Sequence, residues 1–152
     1  MKPDDVRERL RTLPPEPPLH LREFEGVEGM FEKLHAAAVL IPLTERNGTM
    51  DVVLTKRAQM LRKHSGEISF PGGRRDDTDD HLVVTALRET HEEIAIEPDD
   101  VFVYGALMSM PTVTGYDVTT YVGEFPDGTV MTPNPDEIET IIVAPLDDFL
   151  DG

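Results

Sequence analysis

From Asp4 to Leu13 charged and apolar residues alternate at roughly helical spacing, and the run breaks at LPPEPPL, where four prolines in five positions forbid helix. This predicts an arm or cap ahead of the main fold. The first apolar run, AAAVLIPL from Ala36 to Leu43, reads as a strand. Asn47-Gly48 is a hairpin turn signal, and DVVLTKR reads as the returning strand. EISF predicts a short strand that ends in a turn at Pro71-Gly72-Gly73, where glycines permit close backbone approach.

From Asp80 the period lengthens to that of a helix. Val83, Leu87, Thr90 and Ile94 fall within a narrow arc, Glu93, Glu89 and Glu92 along another, with Ala86 at the seam; Asp79 or Asp80 is placed to cap the start. VFVYGALMSM and YDVTTYVGEF then predict two strands joined by PTVTG, followed by a loop, PDGTVMTPNPDE, and a last strand, IETIIVA. PLDDFLDG reads as the first turn of a helix that goes no further. One long helix among mostly antiparallel-looking strands predicts an α/β layered domain with a mixed sheet.

The composition narrows the partners. With 152 residues and 39% hydrophobic content the chain suits one domain with one core. Cysteine is absent, which removes disulfides and thiolate metal sites. No segment reads as a signal peptide or a membrane span, so the expected compartment is the cytoplasm. A formal net charge of −16 argues against nucleic acid or an anionic membrane as partner. The same excess of acid is compatible with adaptation to a salty cytoplasm and with ordinary solubility.

Distribution says more than the sum. Lys56, Arg57, Arg62, Lys63, Arg74 and Arg75 gather in one segment, with His64 among them, just before the acidic helix. Glu89 repels both Glu92 and Glu93 across one helical turn, at a few tenths of a kcal/mol per pair on an exposed surface. In isolation such a run is usually a solvated face. A divalent cation reverses the sign, and carboxylate oxygens without sulfur or a histidine pair indicate a hard ion, Mg2+ or Mn2+. Cations beside a metal describe a pocket for a polyanion such as a diphosphate. Arg88 is placed to pair with one of these carboxylates and fix its orientation.

Gly73, Asp80 and Arg88-Glu89-Thr90-His91-Glu92-Glu93-Ile94-Ala95-Ile96 resemble the Nudix box, G-x5-E-x7-R-E-U-x-E-E-x-G-U, in which U is aliphatic. The R-E-x-x-E-E portion matches fully. Asp80 stands at the first glutamate, the loop from Gly73 carries one residue too many, Thr90 occupies an aliphatic position, and Ala95 replaces glycine. That last change matters little if the helix end needs no left-handed residue. Upstream, VLTKRAQMLRKHSGEISFPGG resembles the motif that precedes the box in the coenzyme A diphosphatase group of Nudix hydrolases, with Val53 in place of its leucine. PTVTGYDVTTYVG and PNPDEIETIIVAPL also look like segments of that group.

The resemblance implies a Nudix-type α/β/α sandwich over residues 36–152, with a mixed sheet and one catalytic helix, behind an arm or cap of residues 1–35. Relatives in the group continue past Leu146 with further strand and a helix, so the C-terminal helix looks truncated here; the sheet face it would cover is left for a partner subunit, as in a homodimer, or for the N-terminal arm. The implied reaction is metal-dependent hydrolysis of the diphosphate of coenzyme A or its derivatives to 3′,5′-ADP and 4′-phosphopantetheine. Glu89 and Glu93, with Glu92 third, are the implied metal ligands, and the Gly73 carbonyl is a further donor. For the general base Glu92 or Glu89 competes with Glu137 from the loop after the sheet, while Glu139 reads equally as a solvated strand-edge residue. Arg57, Arg62 and Arg74, with the Gly72-Gly73 turn, are the candidates for the phosphates. Phe70, Met60 and Leu61 read as core, and Tyr116 either lines the pocket or edges the sheet. Two rivals stay open: another diphosphate substrate (ADP-ribose, NADH, an oxidised nucleotide), or a nucleotide-binding module without turnover.

Overall fold

The structure is a computed structural model that describes residues 1–17, 34–59 and 66–150. After helix α1 (Pro3–Leu10) come strands β1 (His35–Arg46), β2 (Thr49–Arg57), β3 (Ile68–Ser69) and β4 (Gly72–Arg74), helix α2 (Leu82–Ile94), strands β5 (Phe102–Pro111), β6 (Tyr116–Glu124) and β7 (Ile138–Pro145), and a short helix α3 (Asp147–Leu150). A 3-10 turn at Pro98–Asp100 links α2 to β5.

The β1–β2 hairpin closes where it was expected, with Asn47 and Gly48 both at positive φ, 52° and 78°. Such a turn twists with its strands. The hairpin stays paired only from Leu43↔Val52 to Arg46↔Thr49, and beyond that its strands splay apart. β6 lies parallel along the far edge of β1, and β7 antiparallel along the far edge of β2. Into the splay come two short strands, β4 against β1 and β3 against β2. All ladders but β1–β6 are antiparallel, so the sheet is mixed, as expected.

Two expectations fail locally. Gly72 and Gly73 form strand rather than a turn: the ladder from Ala37↔Arg74 to Val39↔Gly72 runs through both. At Gly72 a Cβ would lie 2.4 Å from the Ala38 carbonyl oxygen, so only glycine lets the strand enter the splay. Neither Asp79 nor Asp80 caps α2, whose N-cap is His81 without a side-chain hydrogen bond. The carboxylate of Asp79 is engaged elsewhere, as described below.

Helix α2 packs on one sheet face. Its Leu82, Val83, Ala86 and Leu87 meet Ala38, Leu40 and Tyr121, and its Ile94 joins Val53, Ile96 and Phe125. The helix ends on Ala95 in the left-handed conformation, φ 64° and ψ 30°, so the end does require the residue type that alanine replaces. The opposite face is covered by α1, where Val6, with Leu10 and Leu13, packs on Leu43, Met50, Val52, Leu54 and Val122. Within the chain, the cover on that face is the described part of the N-terminal arm. Arg7 fastens it, donating to Glu124 at 3.0 and 2.8 Å and to Glu45 at 2.7 Å. The result is an α/β/α arrangement with a helix on each face of a mixed sheet.

Candidate active site

The glutamates of α2 face the splay between β1 and β2 because β4 passes beneath the helix. Glu93 is 3% exposed, and its Oε2 accepts the Gly72 N–H at 2.8 Å. Burial pushes its carboxyl up to about 8, reinforced by Glu89 and Glu137 and opposed by the Gly72 N–H and by Arg57. Glu89 is raised for the same reason, burial first and the charge of Glu92 next, against Arg88. A Cβ built on Gly73 would lie 2.6 Å from the Glu89 carboxyl carbon, so that carboxylate occupies the space a side chain would fill. The two adjacent glycines are therefore required for different neighbours.

Arg88 organises the rim. Its Nε and Nη2 hold the Asp79 carboxylate in a fork at 3.1 and 2.9 Å, Nη1 reaches Glu89 at 3.0 Å and Glu92 at 3.1 Å, and Nη2 also reaches the Arg74 carbonyl at 3.2 Å. Asp79 is 1% exposed and also accepts from the Asp76 N–H and the Thr85 hydroxyl. These bonds, Arg88 foremost, hold its carboxyl well below the usual carboxylate range despite burial, and Arg88 is raised in turn. Asp80, expected at the first glutamate of the box, is exposed. Asp79 has the five-residue spacing from Gly73 that the box asks for, so the extra residue lies between Asp79 and Arg88. That spacing was the available signal for it.

The loop between β6 and β7 docks on the end of α2. The N–H groups of Thr132 and Asn134 cap the Ile94 and Glu93 carbonyls at 3.0 and 2.9 Å. This carries half-buried Glu137 close enough to raise both Glu89 and Glu93. Glu139 lies away from the group, exposed and paired with Lys56 at 3.3 Å. Arg57 is near enough for its charge to oppose the rise at Glu93, and its buried Nε has no acceptor among the described residues. Exposed Arg74 contacts His35. Arg62 lies outside the described residues, as do Lys63, His64, Met60 and Leu61.

On the α1 side of the same splay is a cleft of about 560 Å³. Val39, Leu54, Phe70 and Val118 line it, Tyr116 borders it, and Arg57, Arg74 and the β4 glycines form the side nearest the glutamates. Phe70 also packs on the core cluster, as expected. Tyr116 opens strand β6 and also borders the cleft.

Among the described residues no three acidic or histidine side chains, as they stand, enclose an ion. The donor set nonetheless suits one: all-oxygen, partly buried, and raised first by burial and then by mutual repulsion, both of which a cation would offset. The missing Cβ of Gly73 leaves room for the Glu89 carboxylate beside the strand.

A mixed sheet between helices, with R-E-x-x-E-E carboxylates turned onto a glycine strand, defines a Nudix-type fold and site. The sequence profile of the NUDIX domain matches residues 33–152, and the chain belongs to the Nudix family. It is 45% identical over 114 residues to the uncharacterized Nudix hydrolase NudL of Cronobacter sakazakii, covering 75% of this chain and 59% of that protein. It is 37% identical over 147 residues to NudL of Klebsiella pneumoniae, covering 97% of this chain and 71% of the relative. The chain thus spans about three fifths of the length of the Cronobacter relative. Among solved structures it resembles a C. elegans Ap4A hydrolase, TM-score 0.64 at 18% identity over 76% of this chain and 83% of that one. It also resembles the NUDIX domain of Shewanella oneidensis NrtR in complex with ADP ribose, TM-score 0.60 at 18% identity over 85% and 82%. At such identity these likenesses speak for the fold. No helix among the described residues is long and apolar enough to cross a membrane.

Proposed function

We propose that this protein hydrolyses the diphosphate of coenzyme A or its derivatives to 3′,5′-ADP and (acyl-)4′-phosphopantetheine, in the cytoplasm and with Mg2+ or Mn2+. The observation that carries the hydrolase reading is the crowding of Glu89, Glu93 and Glu137 near strand β4, beside an arginine whose buried Nε has no acceptor among the described residues. Burial and mutual repulsion both work against these acids in the folded chain, and the group becomes favourable with a cation and a polyanion beside it. The choice of coenzyme A rests on the motif that precedes the box.

Glu89 and Glu93, with Glu92, are the residues that would hold the metal. Bound there, it would supply neutralisation of the diphosphate and acidification of the attacking water. Arg88 fixes Glu89 and Glu92 in place, and Asp79 fixes Arg88. Arg57 and Arg74 bind the phosphates. Water oxygen bonds to one phosphorus as the bridging P–O bond breaks, and two phosphate monoesters leave. Glu137 takes the proton of the water, because Glu89 and Glu92 are occupied by Arg88.

The test is incubation with Mg2+ or Mn2+ and a panel of coenzyme A, acyl-coenzyme A, ADP-ribose and NADH, with products separated by chromatography. Release of 3′,5′-ADP is expected. Turnover of another diphosphate without it would remove the coenzyme A assignment, and inactivity of folded protein across the panel would favour a binding module. Glu93→Gln should lower kcat about 100-fold or more and weaken metal affinity in calorimetry. At neutral pH the same substitution should raise the melting temperature of metal-free protein by several degrees, because burial raises the Glu93 carboxyl and so costs the folded state stability above the unfolded pKa, whereas glutamine carries no such cost and keeps an acceptor for the Gly72 N–H. An unaltered rate would sink the ligand assignment.

A further inference from the structure

The segment PNPDEI, which leads into β7, has the chemistry of a preset turn. Asparagine at the first position and proline at the second favour reversal of the chain, and a following proline disfavours helical backbone at Asn134. The Asn134 carbonyl accepts the Glu137 N–H at 3.0 Å and the Ile138 N–H at 2.7 Å. Its side-chain Oδ1 accepts the Asp136 N–H at 3.1 Å, the bond by which asparagine closes such turns.

The turn is tied on two sides. On one, the Asn134 N–H donates to the Glu93 carbonyl at 2.9 Å, beside the Thr132 N–H on the Ile94 carbonyl. On the other, the Glu137 carbonyl accepts the N–H of Ala58, next in sequence to Arg57, at 2.8 Å. This second bond falls where the β2–β7 ladder is irregular: its register steps from Lys56↔Thr140 to Arg57↔Ile138 and so skips Glu139. Irregularities of this kind re-aim side chains. Glu139 pairs with Lys56, while Glu137 comes close enough to raise Glu93 and Glu89. Repulsion from those two acids pushes Glu137 away, and the turn opposes that movement. Asn134 thus bonds through its main chain both to a candidate metal ligand and to the candidate base.

We infer that Asn134 is a positioning residue for the hydrolysis: its N–H and carbonyl tie Glu137 to the helix end that carries Glu93, and its side-chain oxygen keeps the intervening turn closed. The inference rests on the hydrolase reading above, with Glu137 as base, and adds to it what keeps that base in place. Asn134 acts through Glu137 and needs no contact with substrate.

The test uses the full chain and whichever diphosphate of the panel it turns over. Asn134→Ala removes the Oδ1 acceptor and should lower kcat about tenfold with KM unaltered. Asn134→Asp keeps an acceptor at that atom and should return kcat to within about threefold of wild type. In a Glu137→Gln background Asn134→Ala should lower kcat no further, because the group it positions is gone. Pro135→Ala, at an exposed position, loosens the same turn and should reproduce the fall in kcat. Two measurements need no turnover. Amide hydrogen exchange at Asp136 and Glu137 of metal-free protein should quicken about tenfold in Asn134→Ala. Calorimetric titration with Mn2+ alone should give the affinity of wild type, since Glu89, Glu92 and Glu93 keep their helix.

Unaltered kcat or unaltered exchange in Asn134→Ala overturns the inference. So does an equal fall of kcat with and without Glu137, which marks a general loss of structure, or a parallel loss of Mn2+ affinity, which marks a role in holding the metal helix. Absence of turnover by folded wild type brings down the hydrolase reading and this role with it; turnover indifferent to Asn134 brings down the role alone.

Discussion

Two neighbouring aspartates show how far a single residue's surroundings decide its work. Asp79 is buried in a fork with Arg88, while Asp80, next in sequence, is exposed. Removing one partner of a buried, hydrogen-bonded charge pair costs about 3–5 kcal/mol, so Asp79→Asn should be strongly destabilising in urea unfolding at neutral pH, and Asp80→Asn within about 0.5 kcal/mol of wild type. The pH dependence has a definite sign. The folded carboxyl of Asp79 lies below its ordinary value, so its contribution is complete above the unfolded pKa of about 3.9 and is lost as pH falls through the folded value. The gap between wild type and Asp79→Asn should therefore be flat from neutral pH down to about 4–5 and close below that; a gap that closes near neutral pH would exclude this pairing as its source. Ala95 is the converse case, an alanine where the backbone is left-handed. Ala95→Gly should stabilise by about 1 kcal/mol, read as a raised urea midpoint with an unaltered m-value.

At the scale of elements the decisive piece is three residues long. β4 positions both glutamates, yet its glycines fail in different ways. A Cβ at Gly72 meets backbone, the Ala38 carbonyl oxygen at 2.4 Å, which cannot move without breaking the ladder. A Cβ at Gly73 meets the end of the Glu89 side chain, which can swing away. Gly72→Ala should thus cost about 2 kcal/mol or more of stability. Gly73→Ala should leave unfolding nearly unaltered while lowering kcat and metal affinity; a large loss of stability at Gly73 would contradict this division. The sequence made the hairpin, α2 and the strand pair β5–β6 legible because each carries a periodic pattern or a turn signal over several residues. β4 escaped because Pro-Gly-Gly reads locally as a turn, and only the splay of β1 from β2, a long-range feature, turns it into a strand. The cap of α2 escaped for a related reason, since the competition for the Asp79 carboxylate is settled by Arg88, nine residues away. The carboxylate cluster was legible as a periodic arc, whereas the contact between Arg74 and His35, far apart in sequence, follows no local pattern.

The whole molecule balances a large acidic excess against a few well-used cations. Thirty acidic residues face fourteen lysines and arginines. Arg7 alone meets Asp4, Glu45 and Glu124, fastening the arm that covers one sheet face, and Arg88 meets three more acids. Salt acts on these two populations in opposite directions. It screens repulsion among exposed carboxylates, with a Debye length that falls from about 10 Å at 0.1 M to about 3 Å at 1 M. It weakens pairs such as Arg7 with Glu45 less, because Arg7 is only 21% exposed. With a net charge of −16 the repulsive population is the larger, so the melting temperature should rise between 0.1 and 1 M KCl. Arg7→Met serves as the internal control. It leaves the acids around Arg7 uncompensated, so its deficit against wild type should be greatest at low salt and shrink as KCl is added. A melting temperature that falls with KCl would show that the ion pairs, not the acidic excess, govern stability.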